Sequence, residues 1–370
     1  MMNVKNLYIK SLQLLMLLTL VVVFNQCKEP ASLNAIIITD AGGEVGKDLQ
    51  TMLENTGLFD ADISSAKSPK FSDYDVVILN VNKADWSADT KEKFLSYVNS
   101  GGGVVVLAGS AFAFDDFAEL NKVFGISPGS GLKKSKDEFE FLIVNSKDKN
   151  PIIEGLNSSW MHTSDYLSFN TETLSGDTEI LGTAWADTLQ GGNGAHLPVL
   201  FTVNYGEGRV FHSTLGMATS NDNLIPIQCV GFITTLQRGA EWAATGVVSQ
   251  EVSIDFPNSV STHTWAEYKP LTLDEILNKS MSYEIGKSKM YLNDFSMRLR
   301  NCDGKAESYG MYEDKILEFL DSDATVESKK HMCRELSWMG SEKSIAALEK
   351  LVNDKDLSES ASYALKRLRM

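Results

Sequence analysis

Three short runs, Ala35 to Thr39, Tyr74 to Asn80 and Val104 to Leu107, are apolar almost without alternation and rich in Val and Ile. A strand with one face in water alternates, so strands apolar on both faces must be covered on both. Where helices separate such strands, the arrangement is a parallel sheet between two helical layers. Helical patterns do separate them: Asp40-Ala41-Gly42-Gly43 leads into a stretch carrying Leu49, Met52 and Leu53, and Thr90 to Ser100 leads through Gly101-Gly102-Gly103 into the third run. Val199 to Val203 and Arg209 to Ser213, joined through Tyr205-Gly206-Glu207-Gly208, read as a hairpin near the end of the sheet, with glycines supplying the turn. A helix carrying Phe232, Leu236 and Trp242 closes the unit. Residues 32–250 are therefore predicted to form a doubly wound α/β domain.

A different pattern follows. Residues 251–270, with Pro257, Asn258, Ser259 and Pro270, read as a linker that wraps or extends. Residues 271–370 are wholly helical in pattern, and Met332, Leu336 and Met339 recur as Ala361, Leu365 and Leu368, each 29 residues later. That period resembles short HEAT-like repeats, in which each helix pair buries its apolar face against the next; a bundle without repeat ancestry is the alternative. Either way the expectation is a small all-α domain that offers a surface to a protein partner and carries no catalytic constellation.

At the other end, Lys5 and Lys10 precede an apolar run from Leu14 to Phe24 that ends at Cys27. A positive segment, an apolar segment too short to span a bilayer and a cysteine at the cleavage point describe an export signal over residues 1–26. Acylation of Cys27 would tether the chain to a membrane outside the cytoplasm, periplasmic or surface-facing. Bulky Val23 and Phe24 before it leave simple secretion or an uncleaved anchor open. Loss of Lys5 and Lys10 with the signal takes the net charge from -15 to -17. So acidic a surface repels phosphate backbones, and nucleic acid is not expected as a partner. Cys229 reads as a buried free thiol, while Cys302 and Cys333 could pair in an oxidising compartment.

The α/β region carries a resemblance. Tyr74-Asp75-Val76-Val77-Ile78-Leu79-Asn80, the glycine triplet before Val104, Pro151-Ile152-Ile153-Glu154-Gly155-Leu156, and Tyr205-Gly206-Glu207-Gly208-Arg209-Val210-Phe211 before Thr214-Leu215-Gly216 resemble, in order, segments of the trehalose-utilisation (ThuA-like) family. The closing helix through Glu241-Trp242-Ala243 is similar too. The resemblance implies a class I glutamine-amidotransferase-like fold, a flavodoxin-like sheet with its crevice at the carboxyl ends of the strands, and a carbohydrate derivative, disaccharide or keto-sugar, as ligand. True amidotransferases carry a cysteine on a strained elbow after the third strand. Here the turn is Ala108-Gly109-Ser110-Ala111, which excludes a thiolate mechanism at that place. Where the family usually has histidine, this chain has Ala108, Asn150 and Met217, which weakens a metal or acid/base role.

What survives is a short set of candidates. Asp165, with His162 three residues before it, is the candidate acid/base; a turn cap is its plain alternative. Asp40, Gly42, Gly43, Ser110, Tyr166 and Trp86 are candidate ligand contacts, the aromatics because a ring face stacks on a sugar. Trp160 and Trp185 also fall at predicted loop edges, and His212 lies within a predicted strand. No metal site is read, and no cofactor: Gly42-Gly43-Glu44-Val45-Gly46 lacks the Rossmann spacing, so nicotinamide, flavin and nucleotide are not expected. Two readings remain, a carbohydrate-binding or carbohydrate-processing envelope protein and an inactive, membrane-anchored interaction module acting through its helical tail.

Overall fold

The computed structural model describes residues 32–369 apart from 41–43, 66–69, 115–117, 127–130, 148, 172–173, 175–176 and 301–305. Gly42, Gly43, Cys302 and the whole signal segment with Cys27 lie outside the described residues.

One nine-stranded sheet organises the larger domain: β1 (Leu33–Thr39), β2 (Phe59–Ser65), β3 (Val76–Asn80), β4 (Gly103–Leu107), β5 (Phe139–Asn145), β6 (Ser159–Asp165), β7 (Asp177–Trp185), β8 (His196–Tyr205) and β9 (Gly208–Ser213), in the order β2-β1-β3-β4-β9-β8-β7-β5-β6. From β2 to β9 every neighbour is parallel, which is the flavodoxin-like order. Alternate residues of β1, β3 and β4 face opposite layers. Ala35, Ile37, Val76, Ile78, Val105 and Leu107 join the core under α1 (Glu44–Glu54) and the later helix α5 (Val230–Thr245). Ile36, Ile38, Val77, Leu79, Val104 and Val106 join the core under α2 (Ala88–Asn99) and α3 (Ala118–Phe124). Burial on both faces is why those runs do not alternate.

Beyond β9 the sheet continues past the expected parallel core. The β8–β9 hairpin lies in the middle, and β8, β7, β5 and β6 continue from it as an antiparallel wing. Here alternation returns, and Leu142, Val144 and Trp185 are exposed. The hairpin turn needs glycine: Gly206 has φ +59°, and a Cβ there would approach the Asn99 carbonyl oxygen to 2.7 Å. Arg209, just past the turn, donates from Nε and Nη2 to the Trp242, Ala243 and Ala244 carbonyls, capping the C-terminus of α5.

After α4 (Ile225–Gln228) and α5, residues 251–270 form a strap rather than a free spacer. Phe256 packs edge-on to Trp160 at 5.4 Å, and Phe256, Trp265 and Tyr268 are buried in the α/β core. Backbone bonds from Met161 to Asn258, Val230 to His263 and Trp265 to Gln228 pin it down. The strap leads into α6 (Leu273–Ser280), opened by a Thr272/Glu275 capping box, then α7 (Met290–Arg300), α8 (Ala306–Leu320), α9 (Val326–Met339), α10 (Glu342–Leu351) and α11 (Ser358–Leu368). These share a second core around Ile276, Phe295, Ile316, Leu336 and Leu348, into which the Cys333 thiol is buried. The residues 29 positions apart match in burial: Met332 and Leu336 are buried and Met339 half-buried, as are Ala361, Leu365 and Leu368. No helix among the described residues is long and apolar enough to cross a membrane.

Candidate functional site

The order β1-β3-β4-β9 sets four strand carboxyl ends side by side, and the turn after β4 is the elbow of the fold. Ala108 sits there at φ +50°, a left-handed conformation that costs an L-residue about 1–2 kcal/mol. Its N–H donates to the Ser213 carbonyl at 2.8 Å, which ties the elbow to the end of β9. The strained elbow is present, but the side chain on it is a methyl group. Ser110 does not replace it: its buried hydroxyl donates to the Leu79 carbonyl and accepts from the Val81 N–H, both at 3.0 Å, locking the exit of β3 to the elbow. Asp40 Oδ2 likewise takes the N–H and the side-chain amide of Asn82, both at 2.9 Å, joining the loops after β1 and β3. Asp40 stays half-exposed just past the carboxyl end of β1.

His162 and Asp165 are brought together, His162 Nε2 lying 3.1 Å from Asp165 Oδ2, but both are fully buried. Asp165 is a clamp. Its Oδ1 accepts from the Tyr166 and Ala218 N–H groups and its Oδ2 from the Gly216 N–H, so β6 holds the loop after β9 through one carboxylate. Four contacts occupy the lone pairs of the carboxylate, the arrangement that the turn cap, the alternative to an acid/base role, would show. His162 has a second neighbour, Cys229, at the N-cap of α5. Burial alone would pull the imidazole down. The thiol and the Asp165 carboxylate outweigh it and lift His162 to about 9. The same coupling, with the Phe232 and Thr163 backbone groups, draws the Cys229 thiol below its ordinary value against the upward push of burial. Cys229 is far from His162 in sequence, so nothing local announces the pair.

Of the two aromatic candidates, Tyr166 and Trp86, only Tyr166 is partly exposed. It is half-buried beside the clamp, with the Lys134 ammonium 3.3 Å above its ring. Trp86, expected to offer a face to a sugar, is buried instead, edge-on to Phe114 at 4.6 Å and to Phe94 at 5.1 Å. Trp160 is core, and Trp185 is exposed on the antiparallel wing beside His196. Asn150 caps its own turn by accepting from the Ile152 N–H and reaches Glu179 at 2.9 Å. Met217 lies half-exposed in the loop that Asp165 clamps.

His212 is fully buried, stacked on Phe201 at 4.5 Å, with Nδ1 donating to the Phe124 carbonyl at 2.9 Å and Nε2 unpartnered. Burial lowers its pKa to about 4. Between about 6.5 and 4 the unfolded chain takes a proton that the folded chain refuses, so stability falls as pH falls through that window. The full shift is worth roughly 3 kcal/mol. His331, also lowered to about 4, acts in the same direction. Asp294, raised by burial to about 6, gains its proton first in the folded state and opposes them. Urea unfolding at pH 7 and pH 4.5 should show a smaller acid loss in His212→Phe than in the parent chain; equal losses would refute this assignment.

A flavodoxin-like core with a strained, side-chain-poor elbow defines the class. The chain belongs to the ThuA trehalose-utilisation family, whose sequence profile matches residues 39–243. A ThuA-like protein from Parabacteroides merdae is 31% identical, with a TM-score of 0.60 over 65% of this chain and 100% of its own. A second, from Bacteroides uniformis, is 16% identical with a TM-score of 0.46, over 60% of this chain and 96% of its own. No curated protein matches this chain.

Proposed function

We propose that this chain is a ThuA-like binding protein that holds a carbohydrate derivative, of disaccharide or keto-sugar size, in the crevice without turning it over. The observation that carries this is Ala108: the elbow keeps its strain and presents only a methyl group. Nucleophilic and acid/base catalysis both need a positioned heteroatom at the reacting centre. Ser110, His162 and Asp165 are tied into the scaffold, whereas half-exposed Asp40 and Tyr166 remain as a hydrogen-bond acceptor and a stacking face. The Cys27 signal supports a lipid-anchored placement in the envelope, and the matched burial 29 residues apart supports a HEAT-like reading of the C-terminal helices.

The test is a thermal-shift series with disaccharides and their keto derivatives, followed by mass analysis of the recovered sugar. A ligand at about 100 times its Kd adds roughly 2.7 kcal/mol, a shift of a few degrees. The expected result is a shift lost in Tyr166→Ala, with the sugar recovered unchanged. A converted sugar, or no shift with any of them, overturns the reading. In the second case the helical tail becomes the functional surface, and a protein partner the object to seek.

A further inference from the structure

A cavity of about 550 Å³ lies outside the crevice, between the strap and helices α6 and α7. We propose that it binds a small uncharged polyhydroxylated ring, a sugar or cyclic polyol. The site is independent of the crevice, and the inference stands whether or not the crevice binds.

Its size falls within the range of small-molecule pockets, about 300–1,000 Å³. Trp265 from the strap and Tyr291 from α7 supply aromatic surface, and Met290 and Met297 extend the apolar wall. Against them stand two carboxylates joined by one guanidinium. Arg298 Nη2 donates to Asp255 Oδ2 at 2.6 Å, and its Nε donates to Asp294 Oδ1 at 3.2 Å. Trp265 Nε1 also donates to Asp255 Oδ2, at 3.0 Å. Asp255 Oδ1 is left buried with no donor, an uncompensated acceptor in the cavity wall. Asp294, with its pKa raised by burial to about 6, is a perturbed carboxyl in a cleft.

Charge decides the ligand class. Asp255, Glu267 and Asp294 line the cavity together with Lys269, Lys279 and Lys289, three groups of each sign. Lys279 reaches Glu267 at 3.5 Å and stands over the Tyr291 ring at 5.5 Å. Arg298 adds a fourth cation, but it is paired with Asp255 and Asp294 as Lys279 is with Glu267, while Lys269 is exposed and Lys289 half-exposed to solvent that screens them, so no unpaired charge inside the walls selects either sign. What the walls reward is a neutral molecule with several hydroxyl donors and one apolar face, the description of a pyranose or an inositol.

Calorimetric titration of the full chain with glucose and myo-inositol, and with glucuronate and glucosamine as charged controls, tests this. At least one neutral probe is expected to bind, and Tyr291→Ala and Asp294→Asn should each weaken it tenfold or more. Tyr166→Ala, in the crevice, should leave that isotherm unchanged, which separates this site from the other. Unfolding midpoints of the two cavity variants show that they fold; both residues are partly exposed. Three results would overturn the proposal: no binding by any neutral probe, binding indifferent to both cavity substitutions, or charged controls that bind as tightly.

Discussion

Replacing Asp165 by asparagine should destabilise the chain by about 4 kcal/mol, almost as much as replacing it by alanine. The carboxylate accepts from three backbone N–H groups, those of Tyr166, Gly216 and Ala218, and faces His162, all around a side chain with no exposure. Alanine strands every donor, at about 1–3 kcal/mol for each buried one. Asparagine keeps the shape but offers one oxygen where two are needed, and its amide then points hydrogens at two donors. A catalytic aspartate would behave differently, since catalytic groups are commonly dispensable for folding and the amide is a near-isostere. Urea unfolding midpoints of the parent chain, Asp165→Asn and Asp165→Ala decide the matter. An asparagine variant within about 1 kcal/mol of the parent would return Asp165 to the list of chemical groups.

The parallel half of the sheet was legible because its strands are buried twice. Ile36 and Ile37 face different cores, and so do Val104 and Val105, so the sequence shows an unbroken apolar run. The antiparallel wing was not. Phe139–Asn145 alternates buried and exposed positions, and its exposed positions include Leu142 and Val144, which blur the period that would mark a half-covered strand. The hairpin was seen from its glycines, but its place was not, because pairing partners such as Val104 and Val210 are set by the whole sheet. The strap was half legible. Pro257 and Pro270 announce irregular backbone, but they do not announce that Trp265 and Tyr268 are buried in the core.

At the carboxyl ends of the strands, the sequence located the elbow turn and the absence of a cysteine in it, while side-chain direction was beyond it. Ser110 and Asp165 carry the atoms that chemistry uses, and the fold turns both toward backbone groups. Trp86 follows the second run by only a few residues, yet Phe71, Phe94 and Phe114 close around it. Nor could Arg238 be anticipated. It lies within α5 and donates to the Pro151, Ile152, Glu154 and Gln250 carbonyls, fastening the turn before β6 and the start of the strap to one helix. Long-range hydrogen bonds of this kind leave no periodicity behind.

The same substitution, glycine to alanine in a helix, should have opposite signs at two positions. At Gly239 in α5 the new Cβ would lie 2.1 Å from Phe211 Cδ1, in the middle of the sheet, where the ring has no exposed side to move toward. Either the helix lifts from the sheet or the ring leaves its rotamer. Overpacking of this severity costs about 3 kcal/mol. At Gly310 in α8 nothing lies within 4 Å of the new Cβ, and the gain in helix propensity is about 0.5–1 kcal/mol. If the Gly239 penalty is the collision with Phe211, it should shrink when Phe211→Leu is added, although that change by itself opens a cavity and destabilises. The double variant should then be more stable than the sum of its parts by 1 kcal/mol or more in a denaturation cycle. Strict additivity would instead place the penalty in the helix backbone and remove the sheet from the explanation.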